Sequence, residues 1–132
     1  MPGSALPHRI SSKRILVVDD ISEAAESLQL ALKHGGHHVE ITDCAKDALD
    51  RLSSARYDLV ITDYAMPRMN GIDLAHAIRK QVPAQLILLL SAFTFSIAAT
   101  EDGPLPVDFV LNKPVSLKDV EKTLALMFSR QL

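Results

Sequence analysis

Four short apolar runs in this chain are each followed by side chains capable of chemistry. Asp19 and Asp20 follow Ile15-Leu16-Val17-Val18, and Ser91 ends the run Leu86 to Leu90. With one residue intervening in each case, Asp63 follows Leu59-Val60-Ile61 and Lys113 follows Phe109-Val110-Leu111. Three carboxylates brought close together repel one another and raise each other's pKa unless a positive charge sits among them. A divalent cation meets that need, and carboxylates with a backbone carbonyl and waters are the hard oxygen ligands that Mg2+ prefers. A carboxylate that attacks a phosphoryl donor needs its developing charge neutralised, for which a metal ion, a lysine ammonium and a hydroxyl are suitable parts. Taken singly, each residue has a plainer reading: aspartate after a strand caps a helix or makes a turn, and a lone serine or lysine is structural or solvated. Five residues of the required types at the ends of four strands are hard to attribute to turn chemistry.

Such a set acts only if its members meet, so the elements between them decide the matter. Together with Val39-Glu40-Ile41, the apolar runs read as five strands. The spacing predicts a helix over about Ser22 to His34, with Ala25, Leu28 and Leu32 on one face and Gly35-Gly36 as its stop. A second is predicted over about Ala45 to Ser54, with Ala45, Ala48, Leu49 and Leu52 inward, and a third after Gly71, with Leu74, Ala75 and Ile78. Ser116 and Asp119 form a capping box ahead of a last helix whose Val120, Leu124 and Met127 share a face. In the remaining crossover, Gly103, Pro104 and Pro106 leave only residues 94–102, roughly two turns. There Phe93, Phe95 and Ile97 alternate with polar residues, so the expectation is a short, mobile helix that exposes apolar side chains to a partner.

Strands that alternate with helices and read as continuous apolar runs imply a parallel sheet covered on both faces, an α/β doubly wound fold. Ligands of such folds sit beyond the carboxyl ends of the strands. Asp19, Asp20, Asp63, Ser91 and Lys113 are therefore expected to converge on one edge.

Composition narrows the function classes. The 132 residues suit one domain, and 48% hydrophobic with 23% charged residues is too apolar for a disordered chain. The net charge is −2 and the basic residues are scattered, which gives no footprint for direct nucleic-acid binding. The longest apolar stretch is too short for membrane insertion, and residues 1–9 lack the apolar centre of a signal peptide. Cys44 is the single cysteine, so no internal disulfide forms and the chain reads as cytoplasmic. Residues 1–12 read as a flexible N-terminal lead-in and 13–130 as the domain. No output domain is expected after the last helix. His34, His37 and His38 straddle Gly35-Gly36 and read as exposed, like His8 and His76, while Cys44 reads as a small packing residue and Met66, Met69 and Met127 as loop and core fillers.

The chain resembles the receiver domains of bacterial two-component response regulators, the CheY-like family. The resemblance rests on Ile15-Leu16-Val17-Val18-Asp19-Asp20, the stretch from Ile61-Thr62-Asp63 through Gly71, Leu90-Ser91-Ala92 and Asn112-Lys113-Pro114, and it covers roughly Lys13 to Arg130. It implies a flavodoxin-like sheet of order 2-1-3-4-5 and a phosphoacceptor, not an enzyme. Asp63 would be the acceptor and would bind Mg2+ with Asp20, with Asp19 helping through water and the backbone carbonyl of Ala65 completing the protein ligands. Lys113 would contact the phosphate, and Ser91 would swing toward the phosphorylated aspartate, given room by Ala92. The donor would be a sensor histidine kinase or a histidine phosphotransfer protein, and the output would pass to a downstream protein partner, with a homodimer as a further option. The Lys113-Pro114 bond is expected to be cis.

The sequence departs from the family at Val110, where receivers usually carry Tyr or Phe. Phe109 is expected to face the other side of the sheet and not to replace that ring. Ala65 lacks a polar group to position an attacking water and Phe93 would block its path, so slow loss of phosphate is expected. Two alternatives stay open: a pseudo-receiver that binds proteins without being phosphorylated, and a small aspartate-nucleophile phosphatase, against which the adjacency of Asp19 and Asp20 counts.

Overall fold

The computed structural model describes residues 10–92 and 103–129. Its elements run β1 (Arg14–Val18), α1 (Ser22–His34), β2 (His38–Thr42), α2 (Ala45–Ser54), β3 (Leu59–Asp63), α3 (Gly71–Gln81), β4 (Ile87–Ser91), β5 (Phe109–Asn112) and α4 (Leu117–Ser129). The strands form one parallel sheet in the order β2-β1-β3-β4-β5, as the resemblance implies. The helix expected within 94–102 lies outside the described residues.

The two-residue period of a strand splits the core between the sheet's faces. Ile15, Val17, Leu59, Ile61, Leu88 and Leu90 face one side, where α1 contributes Ala25 and Leu32 and α4 contributes Val120, Leu124, Met127 and Phe128. Leu16, Val18, Val60 and Ile87 face the other, under Ala45, Ala48 and Leu52 of α2 and Leu74, Ala75 and Ile78 of α3. Met66 and Met69 pack against this second cluster, fillers as expected. Burying each of these larger side chains stabilises the fold by about 1.5–3 kcal/mol. Because helices cover both faces, every residue of β3 and β4 is buried, the reason those strands lack in-out alternation. Phe109 packs on the α1 and α4 side, whereas Val110 joins Tyr64, Ile72 and Leu89 on the other, so Phe109 does not stand in for a ring at 110.

Helix ends follow local chemistry. Gly35 caps α1, and Gly36 follows it at φ +92°, a conformation open to glycine. Asn70 Oδ1 accepts from the Asp73 amide at the start of α3. At the start of α4 Ser116 and Asp119 exchange reciprocal bonds: Asp119 N–H donates to Ser116 Oγ (3.1 Å) and Ser116 N–H donates to Asp119 Oδ2 (3.3 Å).

Two expectations are corrected. Cys44 is not a packing residue: it is exposed and caps α2, its Sγ accepting from the Asp47 amide at 3.4 Å. His37 is half-buried and not simply exposed. Its Nδ1 accepts the Lys13 amide at 3.0 Å, and burial, with the nearby Lys13 ammonium, pushes its pKa down.

Candidate functional site

Strand register brings the carboxylates together. Val18 pairs with Thr62, so the next residues on these adjacent strands, Asp19 and Asp63, are neighbours about 4.8 Å apart across the sheet. Asp20 follows on the same turn. One carboxylate oxygen from each of Asp19, Asp20 and Asp63 lies within 4.8 Å of the other two. Asp19 and Asp63 are buried, at 6% and 5% exposure, while Asp20 is open to solvent.

Lys113 belongs to a strand two places from Asp63, since β4 lies between β3 and β5. Two strand spacings amount to about 10 Å, a gap that a long side chain can cross. Lys113 Nζ reaches Asp63 Oδ1 at 2.5 Å. The backbone ladder continues past the strand ends to fix these positions. Tyr64 N–H donates to Leu90 O (2.8 Å), Lys113 N–H to Ser91 O (2.9 Å) and Asp19 N–H to Thr42 O (3.1 Å). The Lys113-Pro114 bond is cis, as expected. Ser91, the last residue of β4, is buried beside the register partner of Asp63, Leu90. Ala65 is exposed, two residues past β3 in the loop that leads to α3. All six residues singled out from the sequence thus lie at the carboxyl ends of β1, β3, β4 and β5.

Electrostatically the site is short of positive charge. Burial pushes the Asp19 carboxyl above its ordinary pKa. The Ile21 amide, which donates to Asp19 Oδ1 at 3.0 Å, and the Lys113 ammonium pull it down, while the charges of Asp63 and Asp20 raise it further. Three carboxylates facing one ammonium leave an excess of two negative charges when all are ionised. A divalent cation balances that excess, and the clustered donors are all oxygens, the ligand type that Mg2+ takes. The residues present therefore fit a Mg2+ ion.

Two residues outside the predicted set support the site. Thr42 supplies the carbonyl that holds the Asp19 amide, and it ends an apolar run, the same criterion that found Asp63. Gly71 opens α3 against the end of β3. Its amide donates to Tyr64 O at 2.8 Å, and a Cβ built there would collide with the Asp63 carbonyl oxygen and come within 2.7 Å of Leu89 Cδ1. Its absence of a side chain was legible only as a helix boundary.

Comparison with known proteins agrees with this geometry. The model of the response regulator receiver domain family matches residues 15–125. The response regulator receiver protein CpdR of Brucella abortus is 34% identical over 116 residues, covering 87% of this chain and 96% of that protein. The response regulator MprA of Mycolicibacterium vanbaalenii is 32% identical over 120 residues, 89% of this chain, but the chain spans only about half of it, 51%. Among solved structures, response regulator TrrA of Thermotoga maritima, in complex with Mg(2+)-BeF, superposes with a TM-score of 0.78 at 30% identity, over 87% of this chain and 98% of that one. The chemotaxis response regulator CheY4 of Vibrio cholerae gives 0.78 at 28% identity, over 92% and 100%. A sheet of this order, an acidic cluster at its carboxyl edge and a match that spans most of the sequence lead to one assignment: the chain belongs to the response regulator receiver domain family, the phosphoacceptor modules of two-component signalling.

Proposed function

We propose that Asp63 is the phosphoacceptor and that a phosphohistidine on a sensor histidine kinase or a histidine phosphotransfer protein is the donor. A carboxylate oxygen of Asp63 attacks the phosphorus, the phosphorus–nitrogen bond breaks, and the imidazole leaves with the electron pair. Asp19, Asp20, Asp63 and the backbone carbonyl of Ala65 would hold Mg2+, which when bound offsets the charge of the carboxylates and of the incoming phosphoryl oxygens. Lys113 binds a phosphoryl oxygen, exchanging its present partner Asp63 for the group that Asp63 acquires. The Ser91 hydroxyl donates to another. The relative from Thermotoga maritima, solved with Mg(2+)-BeF, supports this reading.

The observation that carries the proposal is the contact of Lys113 Nζ with Asp63 Oδ1 beside two further carboxylates. It gives one carboxylate both the charge neutralisation and the exposed neighbour that an incoming donor needs. Output would pass to a protein partner in the cytoplasm, and among the described residues no helix is long and apolar enough to cross a membrane.

The test is incubation with Mg2+ and a small phosphodonor, read by intact mass. One phosphoryl group is expected on the unaltered chain and none on Asp63→Asn. Labelling that persists in Asp63→Asn, or no labelling of either chain, overturns the assignment.

A further inference from the structure

Asp19 sits at the inner side of an edge strand, and the structure offers an account of what holds it there. Among the described residues β2 pairs only with β1, and no other described strand lies on the outer flank of its carboxyl end. On this flank of Asp19 there is also a cavity of about 290 Å3, lined by Asp19, Ser22, Thr42, Asp47 and Arg51 among others. Packing therefore does not fix Asp19 from that direction. Hydrogen bonds do. The Thr42 carbonyl accepts the Asp19 amide at 3.1 Å, and the Thr42 hydroxyl donates to Asp47 Oδ2 at 2.5 Å. Asp47 Oδ2 also accepts Arg51 Nε at 2.8 Å. Arg51 Nη1 continues to Glu40 Oε1 at 3.0 Å, and Glu40 is held in turn by the Tyr57 hydroxyl at 2.6 Å and by Arg14 Nη2 at 2.9 Å.

We propose that Thr42 and Asp47 are positioning residues for Asp19. The Thr42 hydroxyl, clamped by Asp47 and Arg51 of α2, fixes the peptide whose carbonyl holds the Asp19 amide, and so sets where the Asp19 carboxylate meets the cation. This rests on the reading of Asp19 as part of a Mg2+ site. The logic is that of outer groups orienting metal ligands, whose loss weakens metal binding without removing a ligand. Thr42 is suited to the task because it is buried and is the last residue of β2, whose carbonyl extends the ladder to Asp19. Asp47 is suited because it lies in the first turn of α2, whose start is already anchored by Cys44.

The test compares Thr42→Val, which keeps the branched shape but removes the donor, with Thr42→Ser, which keeps the donor. Amide hydrogen exchange is measured on the metal-free chain at Asp19 and at His38, whose amide donates to Lys13 O at the far end of the same edge strand. In Thr42→Val the Asp19 amide is expected to exchange ~10-fold faster, the change that follows from loss of one hydrogen bond to a charged group. The His38 amide is expected to be unmoved. Mg2+ titrated alone is expected to bind roughly 10-fold more weakly, a loss of the size seen for outer-shell partners, while the labelling rate at saturating Mg2+ is retained. Thr42→Ser is expected to restore both. Exchange that is unchanged at Asp19, that rises equally at His38, or that Thr42→Ser does not restore overturns the proposal. Failure of the metal reading looks different: the unaltered chain itself then binds no Mg2+, and the proposal falls with that reading even if the exchange ratio is as stated.

Discussion

The Lys113 ammonium sits 2.5 Å from Asp63 Oδ1 although β4 separates the two strands that carry them. The contact joins β3 to β5, and under the proposed function it makes Lys113 the cation with which a bound metal ion would share the site. Its two effects on a metal-dependent acceptor oppose each other. Replacing Lys113 with Met removes a repelling charge, so Mg2+ is expected to bind a few-fold more tightly. It also removes a preorganised donor for the transferring group, so labelling of Asp63 at saturating Mg2+ is expected to slow by about 100-fold. Titration calorimetry and intact-mass kinetics on the same variant check the two arms, and a parallel loss of both would contradict the role given to Lys113.

Asp19 gives a prediction of the opposite kind, in which a polar residue weakens the fold that it serves. Its folded-state pKa is raised above the unfolded value of 3.8 by burial first and by Asp63 and Asp20 next. The stability it contributes is therefore fully present below that unfolded value and is lost as pH rises through the raised folded pKa. Above that raised pKa the metal-free protein holds an ionised carboxylate that its surroundings disfavour. Asp19→Asn removes the charge and keeps an oxygen for the Ile21 amide. At pH 7 the metal-free variant is expected to melt higher than the unaltered protein. The difference should shrink as pH falls toward 3.8, and saturating Mg2+ should reverse the order. Thermal melts across pH, with and without Mg2+, check all three.

How much of this was legible from sequence depends on the range of the interaction. Ser22 to His34 and Ala45 to Ser54 emerge as helices because their apolar spacing and their stops, Gly35 above all, are local signals. The acidic cluster and Lys113 were legible because a doubly wound sheet sends strand ends to one edge whatever the details. Cys44 and His37 were misread because a cap and a half-buried imidazole depend on one neighbour each, Asp47 and Lys13, that periodicity does not name. The support that Thr42 and Gly71 give the site was not legible for a related reason: one supplies a backbone carbonyl and the other a missing side chain, and residue type advertises neither.

The lifetime of the phosphorylated state is a further consequence of side-chain chemistry near Asp63. Ala65, exposed two residues past the acceptor, has no group to hold a water for attack on the acyl phosphate. Phe93, the other residue expected to slow that attack, lies outside the described residues. The phosphorylated chain is expected to lose its phosphoryl group over minutes or longer, and Ala65→Asn, which adds a donor and an acceptor at the rim, to shorten that time several-fold. Intact mass followed after removal of the phosphodonor measures it, and a lifetime of seconds for the unaltered chain would count against the argument.

Gly71 tests the placement of the acceptor strand without touching any charged group. Its Cα faces the Asp63 carbonyl, the Tyr64 backbone and Leu89 so closely that a methyl group has no space, and two of the three obstacles are main chain. Side chains at such contacts can turn away, whereas a strand in the middle of a five-stranded sheet cannot. Gly71→Ala is therefore expected to lower stability by about 1–3 kcal/mol, despite alanine's better helix propensity, because over-packing outweighs it. In urea this appears as a lower midpoint at an unchanged slope. The strain falls on the peptide that follows Asp63, so Mg2+ affinity should drop in the variant even under conditions where it is fully folded. A Gly71→Ala protein as stable as the unaltered one, with Mg2+ binding intact, would mean that α3 can shift away from β3 and that the acceptor is held by its strand neighbours alone.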